Sequence, residues 1–223
     1  MVTLNVNKNS YQIPERFTVS QWQEMSKWSF DEPAYWPRII SAATGANREE
    51  LEGAKPEVIE LCMAFIITNI NRRKPFKVMD FNEITFGQFV DMDCWLQMGV
   101  EKYITDIVEL LSDGTEWADE ALWLVDKYAE FRQHTLRQYS ELFGLNDYVE
   151  EADEEEETQF DPLRVARAWY EVIVNLADED VLKIDQITDE PLKKILNFMA
   201  WKKEKQIAEN LRALAERTKQ ILK

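Results

Sequence analysis

Few residues in this chain could carry covalent or proton-transfer chemistry. His134 is the sole histidine. A nucleophile relay needs a base, most often His, and zinc sites draw heavily on imidazole. A single His with Arg132 and Arg137 beside it on a helix therefore reads as a structural or surface residue. Cys62 and Cys94 are the two thiols, and neither belongs to a CxxC pair. A reactive thiolate needs an electropositive setting, whereas Cys94 stands between Asp93 and Trp95, where the adjacent carboxylate opposes ionisation. Both cysteines read as small buried hydrophobes. Two thiols in apolar stretches suit a reducing compartment better than a disulfide framework.

Carboxylates supply the remaining chemistry. Asp80, Glu83, Asp91 and Asp93 are near one another in sequence, and oxygen-only Mg2+ or Ca2+ sites are assembled from such groups. The segment lacks the D-x-D-x-D-G loop grammar. Two residues apart on a helix, Asp91 and Asp93 project about 200° from one another, onto different faces. Gly87 and Gly99 are isolated and make no phosphate cradle. The residues therefore predict a protein with no catalytic group, no metal and no cofactor. A carboxylate-based, metal-dependent enzyme is the weakest of the readings considered.

The elements that would position these groups are mainly helical. The chain has 223 residues, 45% of them hydrophobic, with eight Trp and six Gly. That composition describes a packed, Gly-poor, helix-rich protein. A formal charge of −16 disfavours nucleic acid and anionic membranes, since phosphate binding needs clustered Lys and Arg. The longest apolar run, residues 61–67, is far below the roughly 20 residues that span a bilayer. Alternation across residues 3–13 predicts a β-hairpin turning at Asn7–Ser10. Thr18 caps a helix carrying Trp22, Met25 and Trp28. Asp31–Pro33 opens a second helix, through Trp36, that ends at Gly45. Asn47–Glu50 restarts a helical turn, and Pro56 begins an apolar helix reaching Ile70. Thr85 is read as an N-cap, with helices over about 85–98, 101–112 and 115–143, the last ended by Gly144. Another helical region begins at Asp161-Pro162, and a final one runs from Pro191. No internal repeat of fixed period is apparent.

Charge divides the chain. Residues 150–157 hold seven acids in eight positions and read as a solvated linker, with Glu154, Glu155, Glu156 and Glu157 its electrostatic centre. From Lys193 onward, nine Lys/Arg face three Asp/Glu, so the last helix is basic in an acidic protein. Its apolar residues Leu196, Ala200, Ile207, Leu211, Leu214 and Ile221 recur in steps of three, four and seven, a heptad-like seam interrupted at Lys203 and Thr218. Such a seam serves core packing, self-association or a partner. The domains read as 1–74 (hairpin plus helices), 75–148 (central helical unit), 149–160 (acidic linker) and 161–223 (C-terminal helical arm). Residues 193–223 are expected to be removable without unfolding the rest. Partner-binding candidates are Trp22, Trp28, Trp36, Ile207, Leu211, Leu214 and Ile221.

Several phrases carry a family likeness. Tyr11-Gln12-Ile13-Pro14, Phe17-Thr18-Val19, the stretch Ile39–Gly45 followed by Asn47–Leu51 and Pro56–Phe65, Ile84–Asp91, and Asp180–Phe198 together resemble the tail assembly chaperones of tailed bacteriophages. The likeness covers about half the chain. It implies a non-enzymatic protein that coats the tape-measure protein, recruits tail-tube subunits, and works in the host cytoplasm before leaving the particle. A homo-oligomer is compatible with that role. The alternative is a structural virion protein of the tail, neck or baseplate.

Overall fold

A computed structural model describes residues 2–6, 9–143, 161 and 163–221, the side chains of 219–221 excepted. Among these the fold is 70% helical, with eleven α-helices and one two-stranded antiparallel hairpin. Strand β1 (Val2–Val6) pairs with β2 (Asn9–Ile13) in a register that sets Leu4 opposite Tyr11 and Val6 opposite Asn9. Period-two alternation sends Leu4, Val6 and Ile13 into the core. Asn9 and Ser10, expected in the turn, belong instead to the strand. Ser10 Oγ donates to Asn5 Oδ1 at 2.6 Å, so the pairing extends further than the Asn-rich sequence suggests.

The helices start and stop where side chains satisfy terminal backbone groups. Helix α1 (Val19–Met25) begins with a capping box: Thr18 Oγ1 accepts from Gln21 N–H, and the Gln21 side chain accepts from Thr18 N–H. Trp28 lies beyond its end rather than on it. A 3-10 turn, Pro33–Tyr35, leads into α2 (Trp36–Thr44), which closes on Gly45 at φ 72°, a left-handed conformation that favours glycine. Asn47 caps the short α3 (Arg48–Glu52), and Pro56 takes the first turn of α4 (Pro56–Ile70). Helices α5 (Phe86–Met98) and α6 (Val100–Leu111) follow.

The long helix expected over 115–143 is two helices, α7 (Ala118–Gln138) and α8 (Ser140–Phe143). Thr115 stays outside because its hydroxyl is engaged with Glu120 at 2.6 Å. Gly144, the expected terminator, lies outside the described residues. Helix α9 (Arg164–Leu176) ends in a pair of left-handed non-glycine residues, Asp178 and Glu179. Glu179 N–H donates back to Val174 O at 3.0 Å, which closes the helix as a Schellman turn does. A 3-10 turn (Val181–Lys183) and α10 (Ile184–Thr188) fill a span that periodicity left unassigned. The chain then enters α11 (Leu192–Ile221). Among the described residues no helix is long and apolar enough to cross a membrane.

The chain packs into two units, each built from two separated segments: Met1–Met79 with Trp95–Tyr128, and Asp80–Cys94 with Ala129–Lys223. The linear partition drawn from charge and breaks misses this interleaving. Residues 95–128, read as central, close on the N-terminal segment through contacts about a hundred residues apart in sequence, such as Arg16 with Asp119. In the first unit the hairpin, α1, α2 and α4 enclose Phe17, Met25, Ile39, Ile40, Met63, Ile66 and Ala118. In the second, Ile84, Phe86, Phe89, Met92, Ile173, Leu192 and Leu196 are buried, with Trp169 edge-on to Phe86 and Phe89 at 5.8 and 5.9 Å.

The two units share a local construction that periodicity did not reveal. Phe17-Thr18-Val19-Ser20-Gln21-Trp22-Gln23-Glu24-Met25 matches Ile84-Thr85-Phe86-Gly87-Gln88-Phe89-Val90-Asp91-Met92 in residue character, with Thr, Gln and Met identical. Thr85 and Gln88 form the same reciprocal cap as Thr18 and Gln21. Each Thr also bridges the start of a long helix: Thr18 pairs with Trp117 ahead of α7, and Thr85 with Pro191 ahead of α11. The flanking bonds correspond as well. Val19 N–H to Glu116 O (2.8 Å) and Ala118 N–H to Phe17 O (2.9 Å) have counterparts in Phe86 N–H to Glu190 O (2.9 Å) and Leu192 N–H to Ile84 O (3.0 Å). Thus α7 and α11 are launched by equivalent junctions.

Candidate protein-interaction surface

The residues with chemical potential occupy structural positions. His134 is exposed on α7. Cys62 and Cys94 are buried free thiols. Burial pushes both upward, and Cys94 reaches about 11 because Asp93 and Asp91 add to the effect of desolvation. Asp91 is exposed and Asp93 buried, as their helical spacing requires. The Asp93 carboxylate accepts a hydrogen bond from Arg132 Nε and another from Trp169 Nε1 at 2.7 Å, joining α5, α7 and α9. Asp80 accepts from Asn82 backbone and side chain at 2.9 and 2.8 Å, which holds its pKa low. Among the described residues no group of three or more His, Cys, Asp or Glu is placed to hold a metal ion.

A second buried carboxylate was not singled out from sequence. Glu120 lies under Lys74 (2.8 Å), Thr115 (2.6 Å) and Arg16 (2.8 Å), and Arg16 also grips Asp119 through two bonds. Burial alone would raise the Glu120 pKa. The three donors outweigh it, Lys74 foremost, and bring the carboxyl down to about 2. The partners are 46 and 104 residues away, so no local pattern announces them. The cluster ties the two segments of the first unit together, and every carboxylate oxygen of Asp119 and Glu120 accepts a hydrogen bond.

The three tryptophan candidates sit against the first core, half buried. Trp36 Nε1 donates to Phe30 O at 2.8 Å. Trp28 is 5.4 Å from the Tyr35 ring, and the Arg38 guanidinium lies over the Trp28 ring, 4.2 Å from its centroid. Trp22 lines a cleft of about 360 Å3 with Phe30, Ile67, Ile70 and Leu122. These rings are packing elements that keep one edge wet.

Helix α11 is different. Its first turns are core: Leu192 and Leu196 are buried, with Ile195 beside them. This corrects the boundary of the expected arm, because a cut at residue 193 would open the second unit. Lys203 is the last partly buried side chain. Its ammonium donates to the carbonyls of Glu141 and Leu142, capping the C-terminal end of α8. From Glu204 to Thr218 every side chain is exposed. Ile207, Leu211 and Leu214 are 50, 62 and 61% exposed, and a 100° advance per residue puts them within a sector of about 60°. Leu196, three turns earlier, lies on the same stripe, so the core-facing side of α11 continues past the core.

The stripe begins at a groove of about 500 Å3 between α9 and α11, floored by Leu142, Val172, Leu176 and Met199 and edged by Lys202 and Lys203. Phe198 and Trp201 are exposed on another side of α11, and Tyr170, Val181 and Leu182 are also exposed in the second unit. They escaped the seam reading because they stand off its spacing; an apolar count per helix face would have found Phe198 and Trp201. The Ile221 side chain and Glu154–Glu157 lie outside the described residues. Compared with protein-family models, with curated proteins and with solved structures, the chain matches none.

Proposed function

We propose that this protein is a non-enzymatic interaction protein, a tail assembly chaperone of a tailed bacteriophage, that holds the tape-measure or tail-tube protein during assembly. One observation carries the binding role: fifteen consecutive exposed residues of α11 present Ile207, Leu211 and Leu214 on one face with nothing packed over them. Fifteen residues of helix with no tertiary cover are marginal in water, and an exposed apolar stripe is stabilised by what it binds. The identity of the client rests on the likeness of Phe17–Val19, Ile84–Asp91 and Asp180–Phe198 to tail-morphogenesis proteins. The fold gives those phrases a further sense, since the first two are the capped junctions that launch α7 and α11.

The test is mass spectrometry of a tagged pull-down alongside purified particles from the native source. Recovery of tape-measure or tube protein in the pull-down, with the chain absent from particles, is expected. Fixed stoichiometry in particles would make it a structural virion protein instead, and recovery of neither client nor particles would remove the phage assignment.

A further inference from the structure

We infer that the groove between α9 and α11 and the exposed stripe of α11 form one docking track for an amphipathic helix with one acidic flank, supplied by another protein. The inference rests on the binding role proposed above and names the chemistry of the segment bound.

Three observations converge on it. The first is continuity: Met199 and Lys203 line the groove, and Ile207, Leu211 and Leu214 carry the apolar face onward to about three turns past Lys203. The spacing from Leu196 to Ile207 is eleven residues, as is that from Ala200 to Leu211 and from Lys203 to Leu214. An eleven-residue period keeps a stripe nearly straight along the helix, which suits a second helix laid alongside.

The second is an internal precedent. Helix α7 starts from the equivalent junction, and its residues from Ala129 onward belong to a different unit from its first eleven. Helix α11 belongs wholly to the second unit, yet its cover ends at Lys203 and the side chains of Glu204–Thr218 are exposed. A helix launched by this junction can run past the packing at its start: the continuation of α7 still buries Thr135, whereas that of α11 is exposed.

The third is charge, which selects the occupant. Lys202 and Lys203 edge the groove, and of the charged residues beside the stripe Lys203 and Arg217 stand on one flank and Glu204 alone on the other, in a chain of net charge −16. An antiparallel second α11 would bring like charges against Lys203 and Arg217, whereas carboxylates along one flank of an apolar seam would be complementary.

The probe is a fluorescently labelled helical peptide with leucines at eleven-residue-compatible spacing and glutamates along one flank, titrated with the full-length protein. Its control has lysines in place of the glutamates. We expect saturable binding of the acidic peptide, at least about tenfold tighter than the basic one and weakening as salt rises from about 50 to about 500 mM. The double variant Ile207→Asp, Leu211→Asp should lose that binding while keeping the wild-type circular dichroism, since neither side chain is buried. Equal affinity for both peptides, or undiminished binding by the variant, overturns the proposal. So does a concentration-dependent dimer, seen by sedimentation and abolished by the same variant, because the occupant would then be a second copy. Failure of the peptide to bind while the pull-down still recovers tail protein would sink this track and leave the assembly role standing.

Discussion

At the residue scale, the buried carboxylates are structural and their energetics can be read from their partners. Glu120 titrates near 2 in the folded chain, against about 4.5 for an ordinary Glu. A lowered folded-state value stabilises the fold above the unfolded pKa, and that contribution disappears as pH falls from about 4.5 towards 2. After discounting for the exposure of Lys74 and Arg16, it amounts to about 2–3 kcal/mol. Urea titrations of wild type and Glu120→Gln should differ by about that amount at pH 7 and by less than about 1 kcal/mol at pH 2.5, where the folded carboxyl is only partly protonated. Asp93 is the counterpart in the second unit. Asp93→Ala leaves Arg132 and Trp169 Nε1 without their acceptor and should cost about 3 kcal/mol at neutral pH, towards the low end for a broken buried pair because Arg132 retains some solvent contact. A loss below about 1 kcal/mol by chemical denaturation would show that water replaces the carboxylate. None of this was legible locally. Asp93 reads as a possible metal ligand until a helix 39 residues away supplies its arginine.

At the element scale, caps and breakers were readable because their physics is local. Thr18, Gly45, Asn47 and Pro56 act within four residues of themselves, and the helix ends fall there. The repeated junction was not readable. Three identities in nine positions look accidental until both Thr residues are seen bridging a long helix in the same way. Gly87 illustrates the difference. As a sequence letter it is an isolated glycine in a helix; in the fold, a Cβ there would meet Thr188 Cβ at 2.9 Å and Thr188 O at 3.2 Å. Gly87→Ala should therefore destabilise the second unit by about 1–3 kcal/mol despite the better helix propensity of alanine. Pairing it with Thr188→Ala should recover part of the loss, measured by thermal unfolding of the double variant. Ser20, the corresponding residue of the first junction, is exposed and should accept Ala with a change below about 0.5 kcal/mol.

At the scale of the whole molecule, the chain folds as two interleaved units and α11 extends beyond the second. A chain ended after Lys203 should keep the melting temperature of the full protein to within a few degrees, since every described side chain it removes is exposed, and should lose partner binding. A chain ended before Leu192 should instead unfold its second unit, because Leu192, Ile195 and Leu196 are core. Comparing the two by calorimetry separates the arm from the core, and a cooperative loss of structure in the longer truncation product would show that residues 204–218 are covered within the molecule.

Composition and periodicity by themselves determined that this is a mainly helical protein with an N-terminal hairpin, no membrane-spanning helix among its described residues, and a basic amphipathic helix at the end of an acidic chain. Those properties depend on residue type and on neighbours within about seven positions, which the sequence displays directly. Tertiary structure alone decided which apolar residues are covered. Leu196 and Ile207 share one stripe and similar character, yet one is core and the other exposed. The difference is set by where α8 and α9 happen to lie against α11, and that depends on contacts across 20–60 residues.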